Sequence, residues 1–223
     1  MFALLKSSVF RLLAVLLALG VGNAEATHFR HAQISWEVSS GTSVDVKVVW
    51  TWRSSALGSA TLSYGDGNTG TLDANSGTLI GTYTDLNGES YSIVENSLSH
   101  TYSSASTYTA SFSSCCRIST LAIGNDTSFL VSAFVDLTGG NTGGPTTLAP
   151  PLLQVPQGAF SYTFPVSDPD GDSATCSLIT NGSDVPSPPS GLAVSSSCEL
   201  TIDGSSFSAG SKYAYQVELT ESG

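Results

Sequence analysis

From position 44 to 53, Val44, Val46, Val48, Trp50 and Trp52 alternate with Asp45, Lys47, Val49, Thr51 and Arg53. Only an extended chain puts every second residue on one face, so ten residues of this period predict a half-buried β-strand. Shorter runs of the same kind lie at 33–38, 60–64, 78–84, 90–94, 108–113 and 129–136, separated by Gly, Ser, Asn and Asp. The chain is poor in Lys, Arg and Glu, and its only methionine is Met1, so it lacks the residues from which long amphipathic helices are built. Many short strands with turn residues between them predict an all-β protein of antiparallel, immunoglobulin-like β-sandwich domains in tandem.

Lys6 and Arg11 precede an apolar run at 12–21, and Ala24-Glu25-Ala26 offers a small-residue cleavage site, so residues 1–26 read as a signal peptide. An uncleaved anchor is the alternative, but the run falls short of the roughly 20 residues a spanning helix needs. The mature chain would carry five basic against seventeen acidic side chains. That surface repels nucleic acid and anionic membrane, and suits divalent cations or a basic partner. The Gly- and Pro-rich stretch 139–151 reads as a linker, flexible at its glycines and stiffer at its prolines. It divides a first domain at 27–138 from a second at 152–223, with expected strands at 160–164, 175–179, 192–195, 199–202 and 213–219.

The first domain carries Tyr64-Gly65-Asp66-Gly67, His100-Thr101-Tyr102 and Thr107-Tyr108-Thr109-Ala110-Ser111-Phe112, and this ordered set resembles the signature of a PKD domain. Each residue also has a local reason. Gly65 and Gly67 permit positive φ in a tight turn, Asp66 can accept from nearby amides, and Tyr102 and Tyr108 suit buried rings with a bonded hydroxyl. The 32 residues between Gly67 and His100 are more than the family usually has, and read as an extra hairpin turning at Asn87-Gly88. Ser167-Asp168-Pro169-Asp170-Gly171-Asp172, Pro189-Ser190-Gly191-Leu192 and Gly210-Ser211-Lys212-Tyr213 make the second domain similar to cadherin-like and immunoglobulin-like repeats. In such repeats a turn into another repeat follows the last strand, so the resemblance implies a longer protein.

Four cysteines in a secreted chain imply disulfides. Cys176 and Cys198 sit on neighbouring expected strands and are paired, which leaves Cys115 for Cys116 as a structural lock, with a surface knuckle, a redox switch or free thiols as alternatives. Asp168, Asp170 and Asp172 present alternate carboxylates in one turn, the hard-oxygen pattern of calcium, with Glu199 or Asp203 to complete the shell; the other reading is a plain hairpin turn. Asn125 and Asn181 head N-glycosylation triplets, meaningful in a eukaryotic host. His28, His31 and His100 lack neighbouring ligands at metal spacing. Cleavage before His28 would create the N-terminal histidine of copper-dependent polysaccharide oxygenases, but puts Thr27 and Glu25 where small residues are wanted.

No nucleophile elbow, zinc-protease motif or phosphate-binding glycine loop occurs in the chain. The expected function is therefore a non-catalytic, secreted or cell-surface adhesion and binding protein. Its partner would be an extracellular protein or glycan, met through loops and aromatics such as Trp36 or Tyr91, with membrane contact only through an anchor outside this chain. The alternatives are an accessory module of a larger secreted hydrolase and a structural spacer.

Overall fold

The alternating segment forms the second strand of a sandwich whose two sheets each have four strands. A computed structural model describes residues 28–180 and 187–221. The signal peptide and Asn181 lie outside the described residues. In chain order the first domain contains β1 (Phe29–Ser40), β2 (Ser43–Arg53), β3 (Ser59–Ser63), β4 (Thr69–Asp73), β5 (Thr78–Thr84), β6 (Ser90–Thr101), β7 (Thr107–Ser114) and β8 (Phe129–Asp136). One sheet has the order β1-β2-β6-β5 and the other β4-β3-β7-β8, with antiparallel pairing throughout. The period of two fixes which face of β2 turns inward. Val44, Val46, Val48, Trp50 and Trp52 are buried against Leu62, Leu72, Ala110, Phe112 and Val135 of the facing sheet. Trp50 meets Trp52 and Phe112 edge to face, with ring centroids 5.4 and 5.7 Å apart, the geometry that aromatic quadrupoles favour.

The long interval between Gly67 and His100 holds the expected hairpin, formed by β5 and β6, and that hairpin is built into the sandwich. The interval supplies the edge strand β4, all of β5 and most of β6, and β6 lies centrally between β2 and β5. The turn between β5 and β6 does fall at Asn87-Gly88, where Gly88 has φ +79° and its N–H donates to Asp85 O at 2.9 Å.

The second domain is smaller. After the short β9 (Thr146–Thr147) come β10 (Ala159–Thr163), β11 (Val166–Ser167), β12 (Ala174–Leu178), β13 (Leu192–Val194), β14 (Glu199–Asp203) and β15 (Val217–Glu221). β10-β14-β13 and β12-β15 form its two principal sheets, around Phe164, Cys176, Cys198, Leu200 and Ile202. The last strand starts at Val217 and not at 213, because the preceding residues run along the first domain. There Ala122 N–H donates to Lys212 O at 2.9 Å, and Gln216 Nε2 donates to Leu130 O at 3.1 Å.

The glycine-rich start of the linker is pinned as well. Val38 N–H donates to Thr142 O at 2.6 Å and Gly144 N–H to Trp36 O at 3.3 Å, so the linker pairs along the outer edge of β1.

Candidate functional site

The Gly65-Asp66-Gly67 turn shows what each motif residue does. Gly65 has φ +87°, and a Cβ there would come within 2.6 Å of the Thr109 carbonyl oxygen, so conformation and space both demand glycine. Asp66 Oδ1 accepts from Asn68 N–H at 3.0 Å, while Oδ2 accepts from Asn68 Nδ2 at 3.0 Å and meets His100 Nε2 at 2.8 Å. His100 stacks on Tyr64 at 3.9 Å, and the Tyr102 hydroxyl donates to Tyr64 O at 3.0 Å. The Asp66, His100 and Tyr102 side chains are therefore engaged in tying β6 to the turn, and Gly65 in its close approach to β7.

Burial by itself would raise the Asp66 carboxyl, but the Asn68 and His100 hydrogen bonds outweigh it and bring the pKa down to about 2, from 3.8 when unperturbed. A carboxylate whose pKa is lower in the folded state stabilises above pH 4 and loses that contribution as the pH falls toward 2. The turn lies at the surface, so solvent screening leaves the contribution smaller than the full shift would give. Thermal melts between pH 5 and 2 should show this loss in the wild type, and a flatter profile in Asp66→Asn, which keeps an acceptor but no charge. Parallel profiles would remove Asp66 as the cause.

The three acidic residues of the second-domain turn do not act together. Asp170 is turned to the linker, where its carboxylate accepts from Thr142 N–H at 2.8 Å and from the Thr142 hydroxyl. Asp168 and Asp172 instead converge with Glu221, their oxygens lying within 4.8 Å of one another. Neither Glu199 nor Asp203 joins them, and Asp203 caps the short turn at Gly204–Ser206. Asp168 Oδ2 and Glu221 Oε2 are buried with no donor from a third residue, and the two side chains hydrogen-bond to each other when Glu221 holds its proton. Burial, and then the Asp168 charge, pushes the Glu221 carboxyl above its usual range. Asn141 Nδ2 donates to Glu221 Oε1 at 3.0 Å, which ties the linker to the cluster. This is the only convergence of three or more His, Cys, Asp or Glu ligand atoms among the described residues, so His28, His31 and His100 do not form one.

A second polar cluster lies on the outer face of the β1-β2-β6-β5 sheet. The Tyr91 hydroxyl sits 3.0 Å from Asp85 Oδ2 and 2.5 Å from Glu89 Oε2, with Arg30 2.9 Å from Glu89 Oε2 and Arg53 also paired with Glu89. Lys212 of the second domain reaches Asp85 Oδ2 at 3.1 Å. Burial opposes the Asp85 charge, yet the Glu89 amide, Lys212, the Asn87 amide and Tyr91 hold its carboxyl at about 2. Opposite charges offset one another here, which makes the cluster a clamp between the domains.

Trp36 and Tyr91, expected to meet a partner, are buried at 2% and 1% exposure. Trp36 shares the core face with Ile34 and donates from Nε1 to Phe134 O at 2.8 Å, while Tyr91 is enclosed by the charged cluster. The exposed apolar side chains are others, notably Leu79, Ile80, Leu86 and Phe134. Asn125 is exposed in the loop between β7 and β8. Cys115 is bonded to Cys116 at the start of that loop, inside the first domain and not at its end, and Cys176 to Cys198 in the second domain.

These features define an all-β protein of antiparallel sandwiches closed by disulfides. Within that class, residues 30–138 match the family model described as Integrin beta-like protein A-E, N-terminal. The match covers the first sandwich, from β1 to the end of β8. No curated protein and no solved structure matches the chain.

Proposed function

We propose that this protein is an extracellular, non-catalytic adhesion module in which the first sandwich carries the binding surface. The carrying observation is the integrin beta-like N-terminal match over residues 30–138. The disulfides agree with an oxidising compartment. Since the Asp66, His100 and Tyr102 side chains of the PKD-like turn are engaged in structural bonds, the partner, an extracellular protein or glycan, meets exposed loops and the apolar side chains around β5 and β8. Surfaces coated with the mature chain should hold cells or matrix extracts above a bovine albumin control. Retention no greater than the control, from a folded sample, would end the adhesion reading.

Calcium at Asp168, Asp172 and Glu221 belongs to this reading. Two buried carboxylate oxygens with no donor beyond the pair, beside a third acidic side chain, are what a hard cation with oxygen ligands would satisfy. Linkage of the site to Asn141 means that a bound ion would stiffen the joint between linker and second domain. Calcium should raise the melting temperature of the second domain in the wild type, with the gain lost in Glu221→Gln. An equal or absent shift in both proteins would discard the site.

A further inference from the structure

The two outward faces of the first sandwich are built from different side chains. That of β1-β2-β6-β5 carries charges of both signs, with Lys47 4.0 Å from Glu37 and Arg53 paired with Glu89. On the other sheet, the buried Leu62, Leu72, Ala110 and Phe112 fix the parity, and every outward position of β3, β4 and β7 except Asp73 is a serine or threonine. β8 adds Ser132 between Leu130 and Phe134, and ends at Asp136. The register lines up Thr69, Ser63, Ser111 and Ser132 in one row across all four strands, with Phe134 opposite Thr109 in the next row. Of these serine and threonine hydroxyls only that of Ser63 has a protein partner among the described residues, accepting from Gly65 N–H at 3.3 Å. Phe134 is 61% exposed, and the bond it takes from Trp36 is to its carbonyl, so the ring itself stays at the surface.

We infer that the outer face of β4-β3-β7-β8 binds an uncharged polysaccharide, lying along the hydroxyl rows with one sugar ring on Phe134. The chemistry of the face selects this occupant. Whatever covers it must pair each hydroxyl that it dries, because a hydroxyl buried alone is costly. The apolar and aromatic centre of a protein interface cannot do so along a whole row. A polysaccharide can, since it offers donor and acceptor hydroxyls along its length and an apolar C–H face to an aromatic ring. Charge narrows the class further. No lysine or arginine stands in any of the four strands to hold an anion, and a formal charge of −11 repels uronates and sulfates. The inference rests on the adhesion reading and deepens it, by naming the class of partner and the face it meets.

Depletion of the mature chain from solution by microcrystalline cellulose, chitin and β-1,3-glucan tests it, with heparin and polygalacturonate beads as anionic controls. The expected result is retention on at least one of the neutral polysaccharides, insensitive to salt up to about 1 M. Phe134→Ala and Thr109→Glu should each weaken that retention at least ~10-fold. Ile80→Lys, on β5 of the other sheet, should leave it intact. All three positions are exposed, and melting curves would verify that the variants fold. Retention on none of the three, retention on the anionic beads alone, no effect of Phe134→Ala and Thr109→Glu, or equal weakening by Ile80→Lys would each overturn the inference. Cell adhesion that persists without polysaccharide binding would overturn it and leave the adhesion reading standing, whereas loss of both would end that reading too. A matrix protein released by the same two variants, with no polysaccharide bound, would give the face to a protein instead.

Discussion

Replacing Trp50 with alanine is expected to destabilise the first sandwich by about 4 kcal/mol, a large share of the 5–15 kcal/mol that holds a typical domain. Trp50 is 0% exposed and lies between Trp52 and Phe112, so truncation removes two edge-to-face contacts and leaves a cavity. The pleated sheets on either side are hydrogen-bonded along their length and can close over the gap only in part. Trp50→Phe should cost much less, about 1–2 kcal/mol. It keeps an aromatic ring and deletes an indole N–H that is buried without a partner. Denaturant midpoints followed by circular dichroism would separate the two. A loss below about 1 kcal/mol in Trp50→Ala would mean that the core repacks freely and that β2 is not its centre.

The legibility of β2 and the obscurity of other elements have the same cause. β2 shows its face because five large apolar residues keep one parity, and β5 and β8 were likewise readable at 78–84 and 129–136 from dense β-forming residues. β4 leaves no such signal, since Leu72 is its only buried side chain and Gly70 interrupts it. β6 reads as ending at Val94 because a polar residue, Asn96, follows on its core face. In the structure Asn96 is satisfied there by donating from Nδ2 to Asp73 O at 3.1 Å. The burial of Trp36 was available from its parity with Ile34 and Val38. That of Tyr91 was not, because it depends on Asp85, Glu89, Arg30 and, across the domain boundary, Lys212. The acidic cluster was half legible. Asp168 and Asp172 share a turn, whereas Glu221 arrives through the β12–β15 register, in which Ala174 pairs with Glu221 two positions after Asp172. Long-range strand pairing of that kind leaves no local pattern to read.

Breaking the Cys176–Cys198 bond is expected to unfold the second domain while the first stays folded. Among the described residues the fully buried core of this domain is Phe164, Cys176, Cys198, Leu200 and Ile202, with half-buried side chains such as Phe160, Tyr162, Val217 and Leu219 packed on it, so the disulfide is itself a large part of what the two small sheets enclose. Cys176 belongs to β12 and Cys198 immediately precedes β14, so the bridge fastens one sheet to the other. Opening a loop with a sequence separation of 22 forfeits about 3 kcal/mol in the chain-entropy model, and a domain this small has little stability in excess of that. The first sandwich would lose only contacts at its surface, chiefly Lys212 with Asp85 and Gln216 with Leu130. All three tryptophans lie in the first domain, so their fluorescence reports on it alone. In Cys176→Ser/Cys198→Ser, amide exchange should become fast over 159–221, while the tryptophan-detected melting transition moves by a few degrees at most. Retained protection over 159–221 would show that the sheets hold together without the bridge. Joint collapse of the tryptophan signal would show instead that the Lys212 clamp and the pinned linker make the two domains one cooperative unit.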